Sequence, residues 1–157
     1  MRIALGSDHA GITLKNELKR AFDIATSDDH SLFTIIDVGT HNKDSVDYPD
    51  FALKVAEGVA TKAFDRGILV CGSGIGMSIA ANKVAGVRAE LIHDVDSASW
   101  CREHNYANVI ALAGRTLDTE TAMSIVKVFL ETNFEGGRHQ RRLQRITEIA
   151  QQPKGRP

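Results

Sequence analysis

The sequence has few cysteines, the residues that cross-link small secreted folds and bind structural zinc: two among 157 residues. Cys71 and Cys101 lie thirty positions apart and form no CxxC pair, which argues against a disulfide framework and a zinc knuckle. No uncharged apolar stretch reaches about 18 residues, and the N-terminus already carries charge at Asp8, which argues against a membrane span and a secretory signal. We therefore expect a cytoplasmic protein with free thiols and no membrane partner.

Charge of one sign is also lacking, because 19 basic residues stand against 20 acidic ones and the formal net charge is −1. A chain so balanced has no overall field to attract nucleic acid, so no nucleic-acid partner is expected. The charge is unevenly placed, however. Residues 138–157 carry a formal charge of +5, which leaves −6 for residues 1–137. This asymmetry predicts a small anionic ligand near the C-terminal segment.

Short apolar runs alternate with segments of helical periodicity along most of the chain. The predicted strands are Arg2 to Gly6, Thr34 to Val38, Gly67 to Val70, Val87 to Ile92 and Val109 to Leu112. The predicted helices are Ile12 to Phe22, Pro49 to Ala63, Gly76 to Val84, Asp96 to His104 and Thr119 to Phe129. Strands with so few polar positions are covered on both faces, which predicts an α/β fold: a three-layer α/β/α sandwich around a five-stranded parallel, Rossmann-like sheet.

The remaining segments complete one predicted domain over residues 1–150. Asp23 to Leu32 is polar and without periodicity, and is read as a surface loop. Residues 136–150 form an extra C-terminal helix, whose apolar stripe is Leu143, Ile146, Ile149 and Ala150, and residues 151–157 form a flexible tail. Pro49 is expected in the first turn of its helix and Asp118 at a helix N-cap.

The loop after the third strand, CGSGIGM at residues 71–77, is the most informative segment. Its glycines leave backbone N–H groups free at a helix N-terminus, where an anion or a developing oxyanion is stabilised. It does not match GxGxxG, because Met77 stands where the last glycine belongs. Cys71 has two interpretations: a base or nucleophile at the end of the strand, or a small buried hydrophobic residue. Cys101 is interpreted as a small buried hydrophobic residue.

Other polar residues have both a chemical and a structural interpretation. Asp8 and His9 follow the first strand and offer a carboxylate beside an imidazole, although Asp8 could equally cap the next helix. His104 either acts chemically or complements the end of a helix dipole. Arg138 and Arg142 are four residues apart and share one helix face, which suits either a phosphate or solvent. The histidine spacing indicates no metal site.

Six motifs in order resemble the type B ribose-5-phosphate isomerases, within the family that also contains the galactose-6-phosphate isomerase subunits. They are GSDHAG at 6–11, DVGTH at 37–41, DYPDFA at 47–52, CGSGIGMSIAANKVAGVRA at 71–89, REHNYAN at 102–108 and EGGRHQRRL at 135–143. The resemblance implies interconversion of ribose 5-phosphate and ribulose 5-phosphate without metal or organic cofactor. Some relatives lack the cysteine and place a glutamate where Met77 stands, so this chain is of the cysteine type.

The resemblance also implies roles for individual residues. Cys71 moves a proton between C2 and C1, Ser73 supports that transfer, and backbone amides of Gly72, Ser73, Gly74, Ile75 and Gly76 hold the oxyanion. His104, with Asp8 assisting, opens the furanose ring, and His9 and Asn105 bind substrate. Arg115, Arg138 and Arg142 bind the phosphate. The protein is expected to be a homodimer, or a dimer of such dimers, in which the helix at 136–150 packs at the interface. His104, Asn105 and Arg115 are expected to face the Cys71 of the neighbouring subunit.

Two alternatives remain open at this stage. One is an isomerase of a six-carbon sugar phosphate, such as allose or galactose 6-phosphate. The other is a non-catalytic phosphosugar or nucleotide sensor, because a fold by itself does not determine function. A sensor needs the arginines but neither Cys71 nor His104.

Overall fold

The computed structural model describes residues 1–25 and 33–151. Its elements in chain order are β1 (Arg2–Ser7), α1 (Ile12–Ala25), β2 (Thr34–Asp37), α2 (Tyr48–Ala60), β3 (Arg66–Cys71), α3 (Ile75–Ala81), β4 (Ala89–Leu91), α4 (Val95–Glu103), β5 (Val109–Ala113), α5 (Thr119–Glu131) and α6 (Arg138–Gln151). All four strand pairings are parallel, in the order β2-β1-β3-β5-β4. The predicted three-layer α/β fold with an extra C-terminal helix is confirmed.

Two apolar cores cover the two faces of the sheet. Side chains of α1, α4 and α5 pack on one face, with Leu18 and Phe129 fully buried there. Side chains of α2 and α3 pack on the other, where Val55 and Met77 are fully buried. This two-sided burial explains why the strands read as nearly continuous apolar runs.

Several element boundaries differ from those predicted. Helix α1 continues to Ala25 instead of stopping at Phe22, because Lys19 and Asp23 form an ion pair one turn apart at 2.8 Å. The predicted loop at 23–32 therefore begins later, and residues 26–32 lie outside the described residues. Strand β4 is shorter than expected because only Ala89, Glu90 and Leu91 pair with β5.

Helices α2 and α3 end earlier than their apolar periodicity suggests. Thr61 closes α2, and Lys62 follows with a left-handed φ of 64°. After α3, the Asn82 side chain hydrogen-bonds the main chain of Ala89 in both directions and turns the chain into β4. The predicted caps are confirmed: Pro49 lies in the first turn of α2, and Asp118 accepts the N–H of Thr121 at 2.8 Å.

Helix α6 confirms the predicted C-terminal helix, but most of its apolar stripe is uncovered. Leu143 is buried, whereas Ile146 and Ile149 are 55% and 56% exposed. The tail was predicted from residue 151, but Gln151 is the last residue of α6, and residues 152–157 lie outside the described residues. Within the part of the chain that the structure describes, no helix is both long enough and apolar enough to cross a bilayer.

The strand order places the topological switch point between β1 and β3. The chain leaves β1 toward β2 and then returns to β3 on the opposite side of β1. The loops after β1 and β3 therefore lie side by side at the carboxyl edge of the sheet, where open α/β folds bind ligands. The backbone N–H of Asp8 donates to Val70 O at 3.3 Å and links the two loops.

Candidate active site

A cavity of about 230 Å³ lies at this switch point. It is lined by Asp8, His9, Ala10, Tyr48, Cys71, Gly72, Ser73, Gly76 and Arg115. The loop after β1, the end of β3 with the loop that follows it, and the loop after β5 each contribute lining residues. The two segments that the sequence analysis placed after the first and third strands, Asp8–His9 and the 71–76 loop, therefore meet at one edge of the sheet.

Cys71 is the last residue of β3, and its side chain belongs to the apolar core under α2 and α3. The residue is 4% exposed and lines the cavity, so the sulfur is shielded from bulk solvent but is not sealed in the interior. The backbone N–H of Gly74 donates to Sγ at 3.1 Å. This main-chain donor can stabilise negative charge on the sulfur.

Gly74 adopts the conformation that makes this contact available. It is the N-cap of α3 and has a left-handed φ of 75°, a backbone angle that residues other than glycine rarely adopt. Its turn directs the N–H back toward Sγ and starts the helix two residues after Ser73. Ser73 is exposed, and its Oγ accepts the N–H of Ile75 at 3.4 Å. Gly74 and Ile75 do not line the cavity, although they complete its loop.

Asp8 and His9 are held by main-chain N–H groups. Oδ1 of the buried Asp8 accepts the N–H of Gly11 at 2.8 Å, so this carboxylate holds the turn that precedes α1 and also lines the cavity. Nδ1 of His9 accepts the N–H of Val46 at 3.2 Å. An imidazole that accepts at Nδ1 carries its proton at Nε2, so His9 presents a donor from that nitrogen.

Arg115 lies beside the cysteine loop of its own chain. A methyl group on Gly72 would come within 3.1 Å of Arg115 Nε, so a side chain there would crowd the guanidinium. The backbone N–H of Arg115 also donates to Gly72 O at 3.2 Å. The expectation that Arg115 faces the cysteine of a neighbouring subunit is therefore wrong: the β3–β5 pairing brings the two loops together within one chain.

Tyr48 is a cavity residue to which sequence reasoning assigned no role. It begins α2, is partly exposed, and its ring lies so close to Gly76 that a methyl group on that glycine would come within 2.6 Å of Cζ. Its position within DYPDFA was the available signal.

Besides Gly74 and Ile75 of the cysteine loop, four predicted site residues lie away from this cavity within one chain: His104, Asn105, Arg138 and Arg142. Asn105 is exposed, and its Nδ2 donates to Glu90 Oε1 at 2.6 Å. It lines a separate groove of about 710 Å³ that is also bordered by Leu143, Ile146 and Ala150 of α6. Arg138 and Arg142 are exposed on α6. One copy of the chain therefore assembles only part of the predicted constellation.

His104 is stacked on His139 from α6, with ring centroids 4.4 Å apart and planes 4° from parallel. His139 is buried, and its Nε2 accepts from Arg138 Nε at 3.1 Å and lies 3.5 Å from Glu135 Oε2. Burial lowers the pKa of His139, with the neighbouring His104 and Arg138 acting in the same direction. The stack fixes the orientation of the His104 ring.

The ligand atoms of His104, Glu135 and His139 lie within 4.8 Å of one another, a grouping that sequence spacing did not indicate. Two imidazoles and a carboxylate are donors that suit a transition metal. The Nε2 lone pair of His139 is already engaged by Arg138, and the guanidinium places a positive charge beside any cation. The arrangement therefore favours the histidine stack over a metal centre.

Cys101 differs from Cys71 in every respect that matters for chemistry. It is 1% exposed in the core under α4 and α5, and its Sγ donates to Ala98 O at 3.1 Å. Burial raises the pKa of Cys101 to about 12. This agrees with its interpretation as a small buried hydrophobe.

Comparison with known proteins gives one consistent answer. The family model described as Ribose/Galactose Isomerase matches residues 3–146. The chain is 43% identical over 150 residues to ribose-5-phosphate isomerase B of Escherichia coli, an alignment that covers 96% of this chain and 97% of the relative.

Solved structures agree with the sequence matches. Ribose-5-phosphate isomerase B of Clostridium thermocellum superposes with a TM-score of 0.89 at 46% identity, covering 96% of this chain and 97% of that one. The Mycoplasma genitalium enzyme, solved with bound ribulose-5-phosphate, superposes with a TM-score of 0.88 at 39% identity and covers 97% of both chains. With a matching sequence model, a matching fold and a cysteine loop at the switch point, the chain belongs to the ribose/galactose isomerase family.

Proposed function

We propose that the chain interconverts D-ribose 5-phosphate and D-ribulose 5-phosphate, with the Cys71 thiolate as the base that transfers the proton. The observation that carries this proposal is the position of Cys71 Sγ, which lies in the switch-point cavity with an N–H donor at 3.1 Å. Relatives of nearly equal length are named ribose-5-phosphate isomerase B, and one was solved with ribulose-5-phosphate.

The proposed reaction moves protons within the substrate and neither adds nor removes an atom. The thiolate removes the proton from C2 of the open-chain aldose, the C1–C2 double bond forms, and negative charge develops on O1. A proton then passes from O2 to O1, and Ser73 supports the transfer of the carbon-bound proton between C2 and C1. The thiol returns its proton to C1 as the C2 carbonyl forms. The hydrogen beside a carbonyl is only weakly acidic, so the base needs a stabilised oxyanion. Amides of the 72–76 loop supply it, apart from those of Gly74 and Ile75, which donate to Cys71 Sγ and Ser73 Oγ.

His9 acts as a donor to the substrate in this mechanism. Because its Nδ1 accepts the N–H of Val46, the Nε2–H group is the one available to a substrate oxygen. It therefore binds and orients the sugar and does not compete with Cys71 as a base.

Ring opening and phosphate binding require the residues that one chain leaves outside the cavity. We propose that a second copy supplies His104 and Asn105, together with Arg138 and Arg142, so that each site of a homodimer is shared. His104, with Asp8 assisting, transfers the proton of the anomeric hydroxyl to the ring oxygen. Arg115 of one subunit and the two α6 arginines of the other bind the phosphate, whose binding energy holds the open-chain sugar in place.

Two exposed apolar faces support this assembly. Ile75 and Ile79 lie one turn apart on α3, directly after the cysteine loop, and are more than half exposed. Ile146 and Ile149 are exposed on α6. Exposed apolar side chains of this size that share a helix face are typical of protein interfaces. A homodimer, or a dimer of such dimers, would cover them and would bring α6 to a neighbouring cavity.

We also propose that the protein acts in the cytoplasm. A catalytic thiolate must remain reduced, and both cysteines are free thiols. The reducing cytoplasm maintains that state.

The test compares Cys71→Ala with Cys101→Ala in a coupled assay on metal-stripped protein. Cys71→Ala should abolish isomerisation, because no base remains at C2, while the Kd for ribose 5-phosphate stays nearly unchanged. Cys101→Ala is the matched control and should retain turnover. Unchanged turnover in Cys71→Ala would require another base. Wild-type protein that binds the sugar without turning it over would indicate a sensor.

The substrate is tested in the same assay with allose 6-phosphate and galactose 6-phosphate. We expect the highest kcat/KM for ribose 5-phosphate. A clear preference for a hexose phosphate would assign the chain to the six-carbon branch of the family.

A further inference from the structure

A second cavity, of about 380 Å³, opens at the edge of the sheet opposite Cys71. Its lining residues are Met1, Lys62, Asp65, Arg66, Arg88, Arg102, Tyr106 and Asn108. Arg66 and Cys71 are the first and last residues of β3, so about 17 Å of strand separates this cavity from the isomerase cavity. None of its lining residues belongs to the proposed catalytic constellation.

Three arginines dominate this cavity without an acidic partner. Arg102 is 5% exposed, and Arg66 and Arg88 are partly buried. Within residues 1–25 and 33–151, none of the three forms an ion pair with a carboxylate. The acidic residue in the lining, Asp65, accepts the backbone N–H of Arg2 at 2.6 Å.

The guanidinium groups are held in place by main-chain carbonyls. Arg66 Nη1 donates to Phe129 O, and Arg88 Nε donates to Tyr106 O at 2.9 Å. Arg102 donates to Ala107 O through Nη1. These carbonyls fix the arginines but carry no net charge. They leave Nη2 of each guanidinium without a hydrogen-bond partner in the described part of the chain.

The lining of this cavity carries several positive charges, and burial disfavours the charged form of its arginines. Lys62 and the three arginines against Asp65 give the lining side chains a formal charge of +3. Burial, with the neighbouring Arg102 acting in the same direction, lowers the pKa of Arg66 to about 10. Burial also lowers the pKa of Arg88 and Arg102. Tyr106 and, for Arg66, Asp65 oppose this lowering, but burial is the largest cause in each case, and a bound anion would offset part of its cost.

We propose that this cavity, the arginine pocket, binds a multiply charged, phosphate-bearing anion. Guanidinium groups match the geometry of phosphate oxygens, and arginines already fixed by carbonyls lose little further freedom on binding. A ligand of more than one negative charge fits a lining of formal charge +3. The pocket is separate from the isomerase cavity, so this proposal stands independently of the proposed reaction.

Pyrophosphate is the probe, and calorimetric titration is the measurement. The phosphate residues proposed for the isomerase site would also bind pyrophosphate, so the titration uses the Arg115→Gln/Arg142→Gln protein as background. We expect that protein to retain one saturable pyrophosphate site whose affinity falls with added salt. Citrate, titrated in parallel, should bind more weakly, and equal or tighter citrate binding would contradict a phosphate site.

Adding Arg66→Gln and Arg88→Gln should weaken pyrophosphate binding at least about tenfold, because two charged donors are lost. The matched control adds Arg20→Gln and Arg145→Gln, which removes the same charge from exposed positions elsewhere and should leave the Kd unchanged.

Lys62→Glu provides a second, independent variant. Lys62 is exposed, so reversing its charge should not prevent folding. The Lys62→Glu substitution should also weaken pyrophosphate binding. If the Arg66→Gln/Arg88→Gln protein does not fold, the Kd of pyrophosphate for the Lys62→Glu protein tests the proposal in its place. Absence of saturable binding in the background protein, an unchanged Kd in Lys62→Glu, or equal weakening in the matched control would each overturn the proposal.

Discussion

The two cysteines show how surroundings decide the chemistry of one side chain. Cys71 lines a cavity and accepts an N–H at 3.1 Å, whereas Cys101 lies in the core and its pKa is raised by burial to about 12. Both residues are nearly fully buried by exposed fraction, so exposure by itself does not separate them. What distinguishes Cys71 is the cavity beside it and the Gly74 N–H that donates to its sulfur.

Alkylation tests this difference. Iodoacetamide at about pH 8 should modify Cys71 in the native protein and abolish isomerisation, because the thiolate is the reactive species and the cavity gives access to it. Peptide mass spectrometry should show Cys101 unmodified until the protein is unfolded. Modification of Cys101 at an equal rate in the folded protein would contradict this assignment.

His139 makes stability depend on pH in a predictable direction. Its pKa is lowered by burial and by His104 and Arg138, while Glu135 opposes these effects. In the unfolded chain a histidine titrates near 6.5, so between that value and the lowered one the unfolded state binds more protons. The free energy of unfolding contributed by His139 is therefore complete above about pH 6.5 and falls as pH decreases through this window.

The His139→Gln protein should show a weaker pH dependence of stability than wild type as the pH falls below about 6.5, measured by urea denaturation. His93→Gln, at an exposed position, is the matched control and should keep the wild-type slope. An identical slope in His139→Gln would mean that other groups cause the dependence.

At the scale of elements, a buried ion pair joins α1 to the end of β2. Lys15 Nζ is fully buried and lies 2.7 Å from Asp37 Oδ2, and it also donates to Thr40 O at 2.9 Å. Asp37 Oδ1 accepts the N–H of Gly39 at 3.0 Å. This network holds the chain just after β2, next to the loop that carries Asp8 and His9.

Lys15→Met should lower the free energy of unfolding by about 3–5 kcal/mol, because it leaves the carboxylate of Asp37 without its counter-charge. The double variant Lys15→Met/Asp37→Asn should recover part of that loss, since the amide needs no cation. Lys19→Met, which removes an exposed ion pair on the same helix, is the control and should cost less than about 1 kcal/mol. Equal losses for Lys15→Met and Lys19→Met would contradict a structural role for the buried pair.

At the scale of the whole molecule, the proposal that two subunits share each site predicts complementation between inactive variants. Cys71→Ala and His104→Ala should each be inactive alone, because one lacks the base and the other the ring-opening group. A heterodimer of the two contains one site with an intact Cys71 and an intact His104 from opposite chains. Mixing them after reversible dissociation should therefore restore activity, measured in the coupled assay.

Complementation also distinguishes the shared site from one formed within a single chain. If His104 acted on the cavity of its own chain, every site in the mixture would lack one group and activity would stay absent. Cys71→Ala mixed with Ser73→Ala is the control, because both residues lie on one loop and no intact site can form.

The sequence by itself determined the class of fold, most of the elements and the family. Apolar periodicity is local, so the strands, the helices and the caps at Pro49 and Asp118 could be predicted from neighbouring residues. The six motifs carried the resemblance to the isomerase family, which the comparisons confirm. Helix ends were less predictable, because the Lys19–Asp23 ion pair and the Asn82 side chain depend on contacts rather than on periodicity.

Only the tertiary structure decided which distant residues meet. The order β2-β1-β3-β5-β4 places Arg115 beside Gly72 of its own chain, whereas sequence reasoning had assigned it to the neighbouring subunit. Tyr48 at the cavity, the stack of His104 on His139 and the arginine pocket likewise depend on which strands and helices are neighbours. Such contacts join residues far apart along the chain, and a local pattern contains no information about strand order.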